Sequence, residues 1–178
     1  MLSDILDGLT EKIPRCGELV ANDLCGWDCC HFADNYILFL PGEWESAQQL
    51  GHTVGQHEIL DPSYHGGIKA IPRDRGCCSH PAKAPSAYKP LDCRLYPYWF
   101  QIENNQLLLI QGRKCPIINR GEHIDQHREE AIRTGERLVE NPDLATFFEH
   151  ARMVGYGHAS HPQLRMPSRS TAHRANEP

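Results

Sequence analysis

The sequence predicts a small α+β domain of helices and loops with one short β-hairpin. Apolar residues recur at helical spacing near both ends of the chain. Between them lie apolar runs of strand length, Tyr36–Leu40 and then Tyr98–Ile102 with Leu107–Gln111. The chain's 178 residues suffice for one such domain, and low mean hydropathy implies a modest core.

Leu2, Ile5, Leu6, Leu9 and Ile13 share one face of a short first helix. Pro14 ends it, because proline lacks an amide hydrogen and clashes with the preceding turn. Tyr36–Leu40 reads as a buried strand, and 42–50 as a short helix with Glu43 and Glu45 in its first turn, where the helix dipole favours acids. Residues 51–75 carry several Gly, Pro and His and read as irregular. Tyr98–Ile102 and Leu107–Gln111 flank an Asn-rich turn and form the hairpin. From Glu122 a long amphipathic helix carries Ile124, Ala131 and Leu138, with Glu129 placed to pair Arg133. Asn141-Pro142-Asp143 is a helix start, with Leu144, Phe147, Phe148 and Ala151 on one face. The expected division is a domain over 1–121, a helical extension over 122–157 and a disordered tail over 158–178.

The cysteines are the outlying feature: Cys16, Cys25, Cys29, Cys30, Cys77, Cys78, Cys93 and Cys115. An even count suits a secreted disulfide scaffold, but the start MLSDILDGLTEKIP has neither the basic region nor the apolar run of an export signal. The expectation is therefore a cytoplasmic chain with reduced thiols, and clustered thiols there point to metal or redox chemistry. No apolar run reaches membrane-span length, and the net charge of −5 gives no basic field for nucleic acid. The expected partners are a metal ion or cluster, with a protein partner left open, and no membrane or nucleic acid.

Cys25 and Cys29 have three residues between them, a spacing that lets two thiolates approach one metal ion. The adjacent pairs Cys29-Cys30 and Cys77-Cys78 suit a multi-iron cluster better than a single zinc, unless one member of each pair is a buried small hydrophobe. Four thiolates leave about two negative charges on a Cys₄ zinc site or an oxidised four-iron cluster. Arg94 follows Cys93 and Arg113 precedes Cys115 by two residues, so both are candidates to balance that charge at the cofactor. The residues alone leave iron–sulfur and zinc open, in a domain organised around a cysteine-bound metal centre.

Cys25-Gly-Trp-Asp-Cys29-Cys30, the acids Glu43 or Glu45 after a strand, and Cys93-Arg94-Leu95-Tyr96-Pro97 together resemble the YkgJ-type cysteine-cluster family of zinc- or iron-chelating proteins. The resemblance spans about residues 16–116. It departs in the Cys25–Cys29 spacing, where two residues are usual, and at 84–88, which lacks a cysteine. The family is also similar to flagellin lysine N-methylases. That kinship implies an iron–sulfur centre of the 4Fe-4S type, with zinc as the alternative.

His31 and His80 follow the cysteine pairs as further ligand candidates, and Glu43 and Glu45 can offer carboxylates. His123 and His127 have ligand spacing but read as solvated helix residues. Tyr96, Tyr98, Trp99 and Phe100 read as core and as shielding for the centre. The sequence shows no Gly-rich phosphate loop, no Ser-His-Asp signature and no radical-enzyme cysteine loop. Three roles remain: a metal-binding protein without turnover, an enzyme using the cluster for group transfer or redox chemistry, and a structural zinc module for interactions.

Overall fold

A computed structural model describes residues 2, 4–5, 36–73, 88–115 and 121–158. Leu2, Asp4 and Ile5 are helical; the rest of the expected first helix lies outside the described residues. In chain order come β1 (Ile37–Phe39), α1 (Glu43–Gln49), β2 (His57–Tyr64), β3 (Gly67–Pro72), α2 (Leu91–Leu95), β4 (Tyr98–Glu103), β5 (Gln106–Gly112), α3 (Gly121–Leu138), α4 (Pro142–His150) and β6 (Tyr156–His158). The strands form two antiparallel sheets, ordered β1-β3-β2 and β4-β5-β6. The chain is an α+β domain.

β1 divides the interior. Leu38 and Leu40 belong to a core with Leu91, Leu95, Trp99, Phe100, Leu107, Leu138, Phe147 and Phe148. Ile37 and Phe39 face a second core with Ala47, Val54, Ala70 and Tyr88. Successive strand side chains point to opposite faces, so a strand buried on both faces must be apolar throughout. That is the physical content of the run Ile37-Leu38-Phe39-Leu40.

The stretch expected to be irregular, 51–75, instead contains the β2–β3 hairpin. Asp61-Pro62 interrupts the β pattern of β2, and the register shifts on either side of Asp61. Proline is tolerated because β2 is an edge strand. The turn residues His65 and Gly66 both have positive φ, 52° and 89°, which matches the right-handed strand twist. Sequence favours Asn or Gly at the first of these positions, so a histidine there hid the turn. The β4–β5 hairpin is found where expected, turning on Asn104 and Asn105 at φ 50° and 60°.

α3 places His127, Ala131, Thr134 and Leu138 on its buried face. Its expected pair, Glu129 and Arg133, meets at 3.8 Å with both side chains 65% exposed. Such a pair contributes about 0.3–0.5 kcal/mol. Asn141 caps α4 by accepting from the Asp143 and Leu144 amides at 2.9 and 3.4 Å. Leu144, Phe147, Phe148 and Ala151 are buried in the first core, so α3 and α4 share it with β4 and β5. β6 was not expected; residues 156–158 pair with β5 at Ile110, Gln111 and Gly112. The disordered tail was expected from 158, but His158 pairs with Ile110 as the last residue of β6; residues 159–178 lie outside the described residues.

Gly67 sits where β3, β1 and α4 converge. A methyl group there would overlap the Phe39 carbonyl oxygen and lie 2.7 Å from Phe147 Cε2. Gly67→Ala is expected to destabilise the chain by about 1–3 kcal/mol, the usual scale of overpacking. Denaturant unfolding will read this, and an unchanged midpoint would refute the close packing.

Candidate functional site: a thiol on a clamped helix

Within the Cys93-Arg94-Leu95-Tyr96-Pro97 stretch, the backbone and flanking side chains are held from several sides. α2 is a five-residue helix, and Leu91, Asp92, Arg94 and Leu95 are buried in it. Cys93 is its one partly exposed residue.

Two carboxylates hold this helix. β3 lies along one edge of β1, and no strand pairs the other edge among the described residues. On that outer edge Leu38 N–H donates to Asp92 Oδ2 at 3.0 Å, and Leu40 N–H donates to Glu43 Oε2 at 2.8 Å. Residues two apart on a strand direct their amides the same way. The acids therefore occupy alternate positions that a neighbouring strand would otherwise fill. Asp92 belongs to α2 and binds it directly to β1. Glu43 reaches α2 through its other oxygen, which accepts from Leu91 N–H at 2.6 Å and Tyr88 O–H at 2.8 Å. Tyr156 O–H donates to Asp92 Oδ1 at 3.5 Å, tying in β6.

Burial pushes the Asp92 carboxyl up to about 7; the Leu38 amide opposes the shift and the nearby Glu43 charge adds to it. Burial also raises Glu43, against the lowering effect of its donors and of the Arg94 charge. Desolvation, reinforced by Glu43, raises the Tyr88 hydroxyl and keeps it a donor. Arg94 is 4% exposed; its Nε donates to the Lys89 carbonyl at 2.6 Å, and its guanidinium lies 5.0 Å from the Tyr88 ring centroid. Arg94 is thus a buried cation and not a solvated surface charge.

His127 was expected to be solvated. It is 4% exposed, and its Nε2 donates to the carbonyls of Leu95 and Tyr96 at 2.9 and 3.0 Å. These oxygens belong to the last residue of α2 and to its C-cap, where carbonyls lack helical donors. Sequence spacing placed His127 with His123, whose side chain lies outside the described residues, and gave no sign of this acceptor pair.

The predicted site residues are distributed as follows. Cys93 packs against the second core near Tyr88. Cys115, also partly exposed, follows β5 and packs against the first core near Tyr98. Arg113 is exposed and lies over Gly157 of β6, where an added methyl would sit 2.9 Å from Nη2. Glu45 is exposed, whereas Glu43 is engaged as a buried acceptor. Cys16, Cys25, Cys29, Cys30, Cys77 and Cys78, with His31 and His80, lie outside the described residues. Among the described residues no group of three or more His, Cys, Asp or Glu is arranged to hold a metal ion. Nor is any helix among them long and apolar enough to cross a membrane.

The donors around the two acids differ in kind, which makes their amides unequal. Asn at 92 can accept from Leu38 and donate to the Tyr156 oxygen, since a hydroxyl can reverse its role. Gln at 43 must turn its amino group toward a backbone N–H, which cannot. Asp92→Asn should change stability by no more than about 1 kcal/mol, and Glu43→Gln should cost about 2–3 kcal/mol. Denaturant titration of both variants checks this; equal effects would refute the asymmetry.

Desolvation lowers the His127 pKa below its ordinary 6.5, with the two carbonyls opposing. A lowered folded pKa contributes stability that is present above 6.5 and lost as pH falls through the folded value. His127→Gln keeps a donor without titrating. Wild-type stability should therefore drop relative to the variant as pH falls from 6.5 toward the folded value, by at most about 1.4 kcal/mol per unit. Parallel pH profiles from 8 down to about 5 would contradict the burial of a neutral ring.

Comparison with protein families, curated proteins and solved structures gives no match to this chain. A functional reading therefore rests on the chain's own residues.

Proposed function

We propose that this chain is a cytoplasmic cysteine-cluster protein that holds an iron–sulfur cluster, of the 4Fe-4S type, through cysteine thiolates. The observation that carries the reading is Cys93: one partly exposed thiol on a helix whose other four residues are buried. A ligand position needs a fixed backbone and an accessible sulfur, and a preorganised ligand loses little entropy on binding. Eight cysteines gathered within residues 16–115 suit a thiolate-bound metal, and the kinship of the YkgJ-type family with flagellin lysine N-methylases favours iron over zinc. Cys25 and Cys29, by spacing, and Cys93 are the first ligands to test; Cys16, Cys30, Cys77, Cys78 and Cys115 complete the candidate set. Arg94 and Arg113 are the candidates to offset thiolate charge. A bound cluster would supply redox or group-transfer chemistry, or a structural centre for a protein partner.

Full chain purified without oxygen should be brown and carry iron with acid-labile sulfide. Stoichiometric zinc in colourless protein would move the reading to a zinc module, and disulfides without metal would end it. A structural metal contributes on the order of 10 kcal/mol to folding, so losing a true ligand should cost both metal and solubility. Cys93→Ser is expected to do so, and Cys77→Ser or Cys78→Ser less, because the neighbouring thiol can substitute. Metal per chain and melting temperature across the eight variants decide; a Cys93→Ser chain with full metal and unchanged melting temperature would exclude Cys93 as a ligand.

A further inference from the structure

β1 ends its sheet, yet its outer amides are not left to solvent. Asp92 and Glu43 accept from Leu38 and Leu40 at 3.0 and 2.8 Å, and Glu43 then accepts from the α2 amide of Leu91 at 2.6 Å. The carboxylates are almost wholly buried, at 5% and 0% residue exposure. An N–H left unsatisfied at such depth is strongly disfavoured, so these bonds have no equivalent substitute in water. Through them the position of α2 follows the edge of β1, and Cys93 is the residue α2 leaves partly exposed. Tyr88, which donates to Glu43, also lies near Cys93.

We propose that Glu43 and Asp92 are positioning residues for the Cys93 thiol: hydrogen-bond acceptors on the outer edge of β1 that set how α2 presents its sulfur. The function of the presented thiol rests on the metal-centre reading; the positioning does not. Acceptor geometry is the operative property. An amide at position 92 preserves it, and an amide at position 43 breaks it. Cys115 is the internal reference, since it follows β5, packs against the other core and shares none of these bonds.

The test is the alkylation rate of Cys93 and Cys115 by iodoacetamide, read by peptide mass spectrometry on the full chain as purified. Glu43→Gln and Asp92→Ala should each raise the Cys93 rate by about fivefold or more while Cys115 stays within about twofold, because thiol reactivity follows exposure and local charge. Asp92→Asn should leave both near wild type because its acceptor is retained, and the steady Cys115 rate in Glu43→Gln and Asp92→Ala is what a general loss of stability would not show. Equal rises at both cysteines, no rise at Cys93, or a rise in Asp92→Asn matching Glu43→Gln would each overturn the proposal. Hydrogen exchange on the same protein is the second measurement. Glu43→Gln should speed exchange at whichever of Leu40 and Leu91 its amino group faces but not at Leu38, and unchanged exchange at both would overturn the acceptor role of Glu43. Should Cys93→Ser keep its metal while these shifts occur, the ligand reading fails and the positioning stands. Should Cys93→Ser lose metal without these shifts, the reverse holds.

Discussion

The described structure turns on two buried carboxylates at the outer edge of β1. A strand buried on both faces needs partners for the amides on both edges, and β3 supplies only one side. Asp92 and Glu43 supply the other through bonds to Leu38 and Leu40. Burying carboxylates is costly unless their oxygens are satisfied, and here backbone amides and tyrosine hydroxyls do so. Paired strands satisfy edge amides with carbonyls; this edge uses side chains, and so admits a helix instead of a strand.

That substitution explains how so short a helix is held. Five residues cannot sustain a helix alone, because nucleation is unfavourable and few internal bonds follow. α2 persists through Asp92 and Leu91 on the β1 side, Arg94 with its Lys89 and Tyr88 contacts, and His127 on the carbonyls at its C-terminal end. Its apolar residues Leu91 and Leu95 join the first core, while Cys93 packs toward the second. The helix thus bridges the two cores that β1 separates, and its thiol stands at that junction.

The aromatic residues complete the frame. Trp99, Phe100 and Phe148 meet within 6.0 Å between ring centroids, fixing β4 against α4. Gly135 of α3 faces the Phe100 ring, where an added methyl would lie 2.5 Å from Cε1, so α3 packs closely on the same strand. α3 in turn delivers His127 to the end of α2. The reading of Tyr98, Trp99 and Phe100 as core holds; their part in shielding a metal centre belongs to the proposed function.

Local patterns were enough for the elements whose signals are local. The Asn104-Asn105 hairpin, the Asn141-Pro142 helix start and the periodicities of α3 and α4 follow from turn chemistry, capping and burial, each readable within a few residues. The same holds for β1, whose continuous apolar run already implied burial on two faces. Tertiary structure decided what depends on distant partners. β2 exists despite Asp61-Pro62 because β3 pairs it on one side only. β6 forms because β5 offers an edge to three residues with little pattern of their own. Glu43 looked like a helix-start acid, and Asp92 drew no notice, because a carboxylate's role depends on which donors converge on it. Those donors, at residues 38, 40, 88, 91 and 156, come together only when the chain is folded. The cysteine spacing, legible from the start, defines the chemistry the chain can carry; how Cys93 is presented for it depends on hydrogen bonds that no local pattern encodes.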